Sequence, residues 1–128
     1  MKLLLDTHVF IWWDSQSTSL SASMRAVCED PENTLYLSMV SVWEMQIKAQ
    51  IGKLDLDRPL PLLISDQLES NSVKILPIEL PHIFALGTLP MHHRDPFDRL
   101  LISQAQSEGL VLVSDDAIIS QYDVTVHS

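Results

Sequence analysis

One cysteine, three glycines and eight basic residues are all that this 128-residue chain holds of those types. With Cys28 alone, no internal disulfide can form and no paired-cysteine zinc pattern is present. Such cysteine usage suits a reducing compartment, so a cytoplasmic location is expected. The three glycines lie apart at Gly52, Gly87 and Gly109, which leaves no glycine-rich phosphate loop and no nucleophile elbow around a serine. No apolar run approaches the roughly 18 residues of a membrane span. Leu3-Leu4-Leu5 meets Asp6, and Val9-Phe10-Ile11-Trp12-Trp13 meets Asp14; neither makes a secretory leader. Eight basic against 17 acidic residues give a net charge of −9. That balance excludes a general nucleic-acid-coating protein, which needs a basic surface. It is compatible with an enzyme whose acids partly form a metal site, and with docking to a basic partner segment.

What the chain does have is an ordinary core. Hydrophobic residues make up 46% of it, which argues for a packed domain and against disorder. Residues 1–128 are expected to form a single domain large enough to need no staples. Leu3-Leu4-Leu5 reads as a strand covered on both faces, because it shows no alternation. Asp6 and Thr7 can open a short helix through Trp13. Ser21 opens another to about Asp30, with Met24, Val27 and Cys28 on one face. A strand at Leu35–Ser38 leads into a helix over about Val40–Ile51, stopped by Gly52, with an apolar stripe of Val40, Trp43, Ile47 and Ile51. Further helices are expected at Pro61–Ser70, Glu79–Leu86, Pro96–Glu108 and Ala117–Gln121. Further strands are expected at Val73–Leu76 and Leu110–Val113, with a marginal one at Val124–Val126. This alternation predicts an α/β three-layer sandwich: a central parallel sheet of four to five strands flanked by helices.

Four acidic positions stand at comparable junctions. Asp6 follows the first strand directly, and Asp115 and Asp116 follow the fourth after Ser114. Glu44 lies early in the helix after the second strand, and Asp98 in the first turn of the helix that enters the fourth. In an open parallel sheet all of these reach the carboxyl edge, where ligands bind. Each also has a plain reading: Asp6 and Asp115 as helix caps, Ser41 to Glu44 as a capping box, Glu44 as the partner of Lys48, and Asp95 as the cap before Pro96. Two features favour a shared ion. Glu44 sits among apolar positions of its helix, and Asp98 shares a face with Leu101, Ile102 and Ala105, where an unpaired carboxylate is costly. Clustered carboxylates also repel unless a cation neutralises them. A hard divalent cation, Mg²⁺ or Mn²⁺, suits such oxygen ligands.

These same segments carry a resemblance. Leu-Leu-Leu-Asp-Thr-His, Ser-Val-Trp-Glu, Arg-Asp-Pro-Phe-Asp-Arg-Leu-Leu-Ile and Leu-Val-Ser-Asp-Asp, in that order, resemble the PIN-domain family over essentially the whole chain. Within it, they are most similar to the VapC-like toxin ribonucleases of toxin–antitoxin pairs. The resemblance implies a Mg²⁺- or Mn²⁺-dependent endoribonuclease, usually a homodimer, inhibited by a small antitoxin protein. It carries over Asp6, Glu44 and Asp98 as core acids, with Asp116 as the fourth and Asp115 as its alternative. Asp6 and Asp98 are expected as the main metal ligands; Glu44 and Asp116 would ligate directly or through water.

Weaker signals surround these acids. Arg94, Arg99, Lys48 and Lys53 are candidates for phosphate contact, Arg94 first because it flanks an acid-bearing turn; each is otherwise an ordinary solvated charge. Ser114 and Thr7 could orient ligands or water, or bond to backbone. His92 and His93 are expected to face solvent, His8 to pack, and Trp43 to lie in the core. One of Trp12 and Trp13 is expected to face outward. Two other function classes remain open from residues alone. One is a receiver domain that accepts a phosphoryl group on an aspartate; it lacks an acid after the third strand and a lysine after the fourth. The other is a non-catalytic binding domain in which every acid is a cap.

Overall fold

The computed structural model describes residues 1–93 and 95–128. Five strands, β1 (Lys2–Leu5), β2 (Thr34–Ser38), β3 (Lys74–Leu76), β4 (Val111–Val113) and β5 (Val126–His127), form one sheet in the order β3-β2-β1-β4-β5. Every pairing is parallel. The helices are α1 (Thr7–Ser15), α2 (Ala22–Glu29), α3 (Met39–Gln50), α4 (Leu60–Ser70), α5 (Leu80–Phe84) and α6 (Pro96–Glu108). This is the three-layer sandwich expected from the sequence.

The run of three leucines shows why β1 is central. Alternate side chains of a strand point to opposite faces. Leu3 and Leu5 accordingly enter one core with Val9 and Phe10 of α1, Met24 of α2, Met45 of α3 and Leu63 of α4. Leu4 enters a second core with Val40, Leu76, Leu112 and the α6 residues Leu101, Ile102 and Ala105. All three leucines are fully buried, each worth roughly 1.5–3 kcal/mol of transfer free energy.

Local signals set the ends of the elements. Ser21 Oγ accepts from Met24 N–H at α2, and Asp95 Oδ1 from Phe97 N–H at α6. Gly109 ends α6 at φ 65°, a left-handed position that favours glycine. Several boundaries differ from expectation. Helix α3 starts at Met39, capped by Ser38, so Ser41 lies inside it and no capping box forms there. The helix expected over Glu79–Leu86 is α5 followed by a 3₁₀ turn at Ala85–Thr88. The last helix, Ala117–Gln121, is 3₁₀ throughout, and β5 starts two residues later than expected.

Trp43 also differs: it is 55% exposed, not core, and packs edge-on against Phe97 with ring centroids 5.1 Å apart. The buried face of α3 is Val40, Ser41, Glu44 and Met45. His8 is exposed and tilts against Trp12, while Trp12 and Trp13 are both half-buried. No described helix is long and apolar enough to cross a membrane.

The sheet order places the site. From β1 the chain steps outward to β2 and β3 on one side, then returns to build β4 and β5 on the other. The switch therefore falls between β1 and β4, and the crevice at their carboxyl ends is where such sheets bind ligands. A receiver domain has the order 2-1-3-4-5, with its third strand beside the first. Here β4 holds that place and β3 is an edge strand, so the receiver reading is excluded.

Candidate metal centre

Asp6 leaves β1 at the switch point, where its backbone N–H donates to Val113 O at 3.1 Å. Its carboxylate caps α1 by accepting from Val9 N–H at 2.8 Å. The cap and the site are thus the same residue. Asp6 is 7% exposed, and burial pushes its carboxyl above the usual range, against hydrogen bonds from Ser114 and Val9.

Glu44 is 2% exposed, on the inner face of α3. Thr7 Oγ1 donates to Glu44 Oε1 at 2.7 Å, and Lys48 Nζ donates to Oε2. The hydrogen bond to Glu44, followed by the nearby charges of Glu44, Asp95 and Asp98, holds the Lys48 ammonium above its usual pKa against burial. Lys48 is thus the described cation nearest the acids. Ser41, which lies 2.9 Å from Thr7 Oγ1, completes the support: a hydroxyl has one proton, so Thr7 gives its own to Glu44 and accepts from Ser41.

Asp98 lies in the first turn of α6 and is pushed up to about 6. Burial is the first cause, and the charges of Asp95, Glu44 and Asp6 add to it against His93. Asp98 is therefore electrostatically close to both Glu44 and Asp6. Among the described residues no donor pairs with its carboxylate. Asp116, past β4, has one oxygen within 4.8 Å of an Asp98 oxygen and of His93 Nε2. Its backbone N–H donates to Ser114 Oγ at 3.1 Å, and its Oδ1 accepts from Ile118 N–H. Asp115 is exposed, and its charge raises Asp6.

The other candidates fall differently. Arg99 is turned toward backbone carbonyls, donating to Pro90 O at 2.7 Å and Leu89 O at 3.2 Å; it braces the loop before α6 rather than facing the acids. Lys53 is exposed and, with Lys48, Thr7, His8 and Met45, lines a cavity of about 250 Å³ beside Glu44. Arg94 lies outside the described residues. Asp95 is the α6 cap, as expected. His93 is a correction: it is 8% exposed, not solvent-facing, and Nε2 lies 2.8 Å from Asp116 Oδ2. His92 does face solvent.

Asp6, Glu44, Asp98 and Asp116 carry hard carboxylate oxygens of the kind a divalent cation takes, and burial, then acidic neighbours, raise the Asp98 carboxyl to about 6.

The chain belongs to the PIN-domain family, whose model matches residues 3–124. Its fold is shared with chains of solved VapBC and FitAcB structures. One is in VapBC2 of Rickettsia felis bound to a promoter DNA fragment, at TM-score 0.72 and 16% identity over 99% of this chain and 98% of that one. A second is in VapBC-1 of nontypeable Haemophilus influenzae, at TM-score 0.67 and 18% identity over 100% and 98%. A third is in FitAcB of Neisseria gonorrhoeae, at TM-score 0.65 and 20% identity over 98% and 96%. No curated protein matches the chain in sequence.

Proposed function

We propose that this protein is a divalent-cation-dependent endoribonuclease, the toxin of a cytoplasmic toxin–antitoxin pair. The reading is supported by Asp98 and Asp116, which bring one oxygen each to within 4.8 Å of one another, and by the Asp98 carboxyl, which burial first and then the charges of Asp95, Glu44 and Asp6 push up to about 6. Asp98 and Asp116 would hold the ion first, and Asp6 and Glu44 would ligate it directly or through water. A bound Mg²⁺ or Mn²⁺ supplies neutralisation of the phosphate's charge and a bound water of lowered pKa.

The chain's own residues do the rest. Thr7 and Lys48 fix the Glu44 carboxylate from two sides, so that it can orient a water without swinging away. Lys48 and Lys53 border the cavity beside Glu44 and offer ammonium groups to the next phosphate of an extended strand. Membership of the PIN family and the fold shared with chains of VapBC and FitAB complexes support both the nuclease chemistry and a small protein partner. A homodimer is the expected assembly, with the basic segment of an antitoxin matched to the net charge of −9.

Purified protein incubated with RNA and Mg²⁺ or Mn²⁺, followed by sequencing of the new ends, tests the reading. Cleavage is expected with either ion, lost with chelator, and absent in Asp98→Asn. Cleavage of DNA but not RNA would overturn the substrate class, and undiminished cleavage by Asp98→Asn would overturn the site.

A further inference from the structure

The Tyr122 hydroxyl accepts from two backbone N–H groups, those of His92 at 3.1 Å and His93 at 2.8 Å. Those two bonds use both lone pairs of the oxygen, so its single proton is left to donate. Among the described residues the acceptor within reach is His93 Nδ1, at 3.2 Å. A neutral ring whose Nδ1 accepts carries its proton on Nε2. That nitrogen lies 2.8 Å from Asp116 Oδ2, so it donates there. Asp116 Oδ1 is meanwhile held by Ile118 N–H at 2.9 Å. Both oxygens of the carboxylate are thereby fixed, one by backbone and one by a buried ring.

We propose that His93 is a positioning residue: its Nε2–H, set in direction by the Tyr122 hydroxyl, holds the Asp116 carboxylate toward Asp98, and the ring is not itself a ligand of the cation. The proposal rests on the nuclease reading of the site. Spacing alone would make His93 a third ligand, since one atom each of His93, Asp98 and Asp116 fall within 4.8 Å of one another. Ligation through Nε2 needs that nitrogen's lone pair, and so moves the proton to Nδ1. There it would point at a hydroxyl oxygen that already accepts two bonds. The tautomer that satisfies Tyr122 is the one that cannot bind metal.

The first test needs no activity. Long-range ¹H–¹⁵N correlation on the full-length, metal-free protein, with the ring assigned by His93→Gln, is expected to show the Nε2–H tautomer. The Nδ1–H tautomer would overturn the proposal. The second test is Mn²⁺ affinity by calorimetry. His93→Gln keeps an N–H donor near the place of Nε2 and is expected to stay close to wild type. His93→Leu removes the donor and is expected to weaken binding about 10–100-fold, the usual cost of losing such a support. Equal affinity for wild type and His93→Leu, or a glutamine variant as weak as the leucine one, would overturn it. If the wild type bound no Mn²⁺ at all, the proposed function would fall, while the ring's tautomer would still decide the part assigned to His93.

Discussion

Thr7 donates its hydroxyl proton to Glu44 at 2.7 Å, joining the first turn of α1 to the inner face of α3 across 37 residues of chain. The bond does two things. It satisfies one oxygen of a carboxylate that is almost wholly buried, and it fixes which way that carboxylate faces. Replacing Thr7 by Val keeps the shape but removes the donor, and leaves the Ser41 hydroxyl without its acceptor. A buried polar group left unpaired costs about 1–3 kcal/mol. Thr7→Val is therefore expected to lower the stability by that much in urea or guanidinium unfolding, and to reduce cleavage as well. Unchanged stability would show that Glu44 finds another donor.

Asp98 gives the protein a stability that falls as pH rises. Its carboxyl ionises near 3.8 when exposed and at about 6 in the folded chain. Between those values the native state binds more protons than the unfolded one, so stability declines with rising pH and stays low above about 6. Asp98→Asn removes the ionisation. In metal-free buffer the variant is expected to melt higher than wild type at pH 8 and to lose this part of the slope between pH 4 and 6. Adding Mg²⁺ should raise the wild-type melting temperature at pH 8 and leave Asp98→Asn nearly unmoved, since only the former gains by neutralisation. Calorimetric melts from pH 4 to 8, with and without Mg²⁺, measure all three effects.

Asp6, Asp98 and Asp116 could be marked in the sequence because they stand where a strand or helix begins or ends, and those ends follow from period and capping residues; Glu44, midway along α3, could be marked only by the apolar positions around it. His93 was not legible. Two adjacent histidines in a loop carry no period, and the hydroxyl that fixes this one is Tyr122, 29 residues later. Trp43 was misplaced for a different reason. The apolar stripe of α3 counts Val40, Trp43 and Ile47, but the helix turns Ser41 and Glu44 inward, where Thr7 meets them. Polar contacts between distant segments set the rotation of that helix, and hydrophobicity along one segment cannot report them. Trp43 is left on the rim against Phe97, next to the first turn that carries Asp98.

Cys28 is expected to be inert in the folded protein. It is buried in the core beside Met24, and burial, followed by the charge of Glu29, pushes its thiol up to about 11 against the pull of Arg25. Only the thiolate reacts, and a rise of about two pKa units cuts its population roughly 100-fold at neutral pH. Alkylation followed by mass spectrometry should be slow in native buffer and fast in denaturant. Rapid native labelling would mean that α2 opens from the sheet far more readily than its packing implies.

Asp6 separates capping from chemistry within one residue. As the cap of α1 its Oδ1 accepts from Val9 N–H, a bond worth about 1 kcal/mol. Asparagine accepts the same bond through its carbonyl oxygen but has no charge to give a cation. Alanine has neither. Asp6→Asn is therefore expected to be at least as stable as wild type in the absence of metal, because burial already disfavours the ionised form, and to be inactive. Asp6→Ala should be inactive and also less stable than Asp6→Asn by about 0.5–2 kcal/mol. Denaturant unfolding and an RNA-cleavage assay on the pair resolve the two roles. An active Asp6→Asn would reduce Asp6 to a cap and remove it from the metal centre, whatever its place beside Asp98.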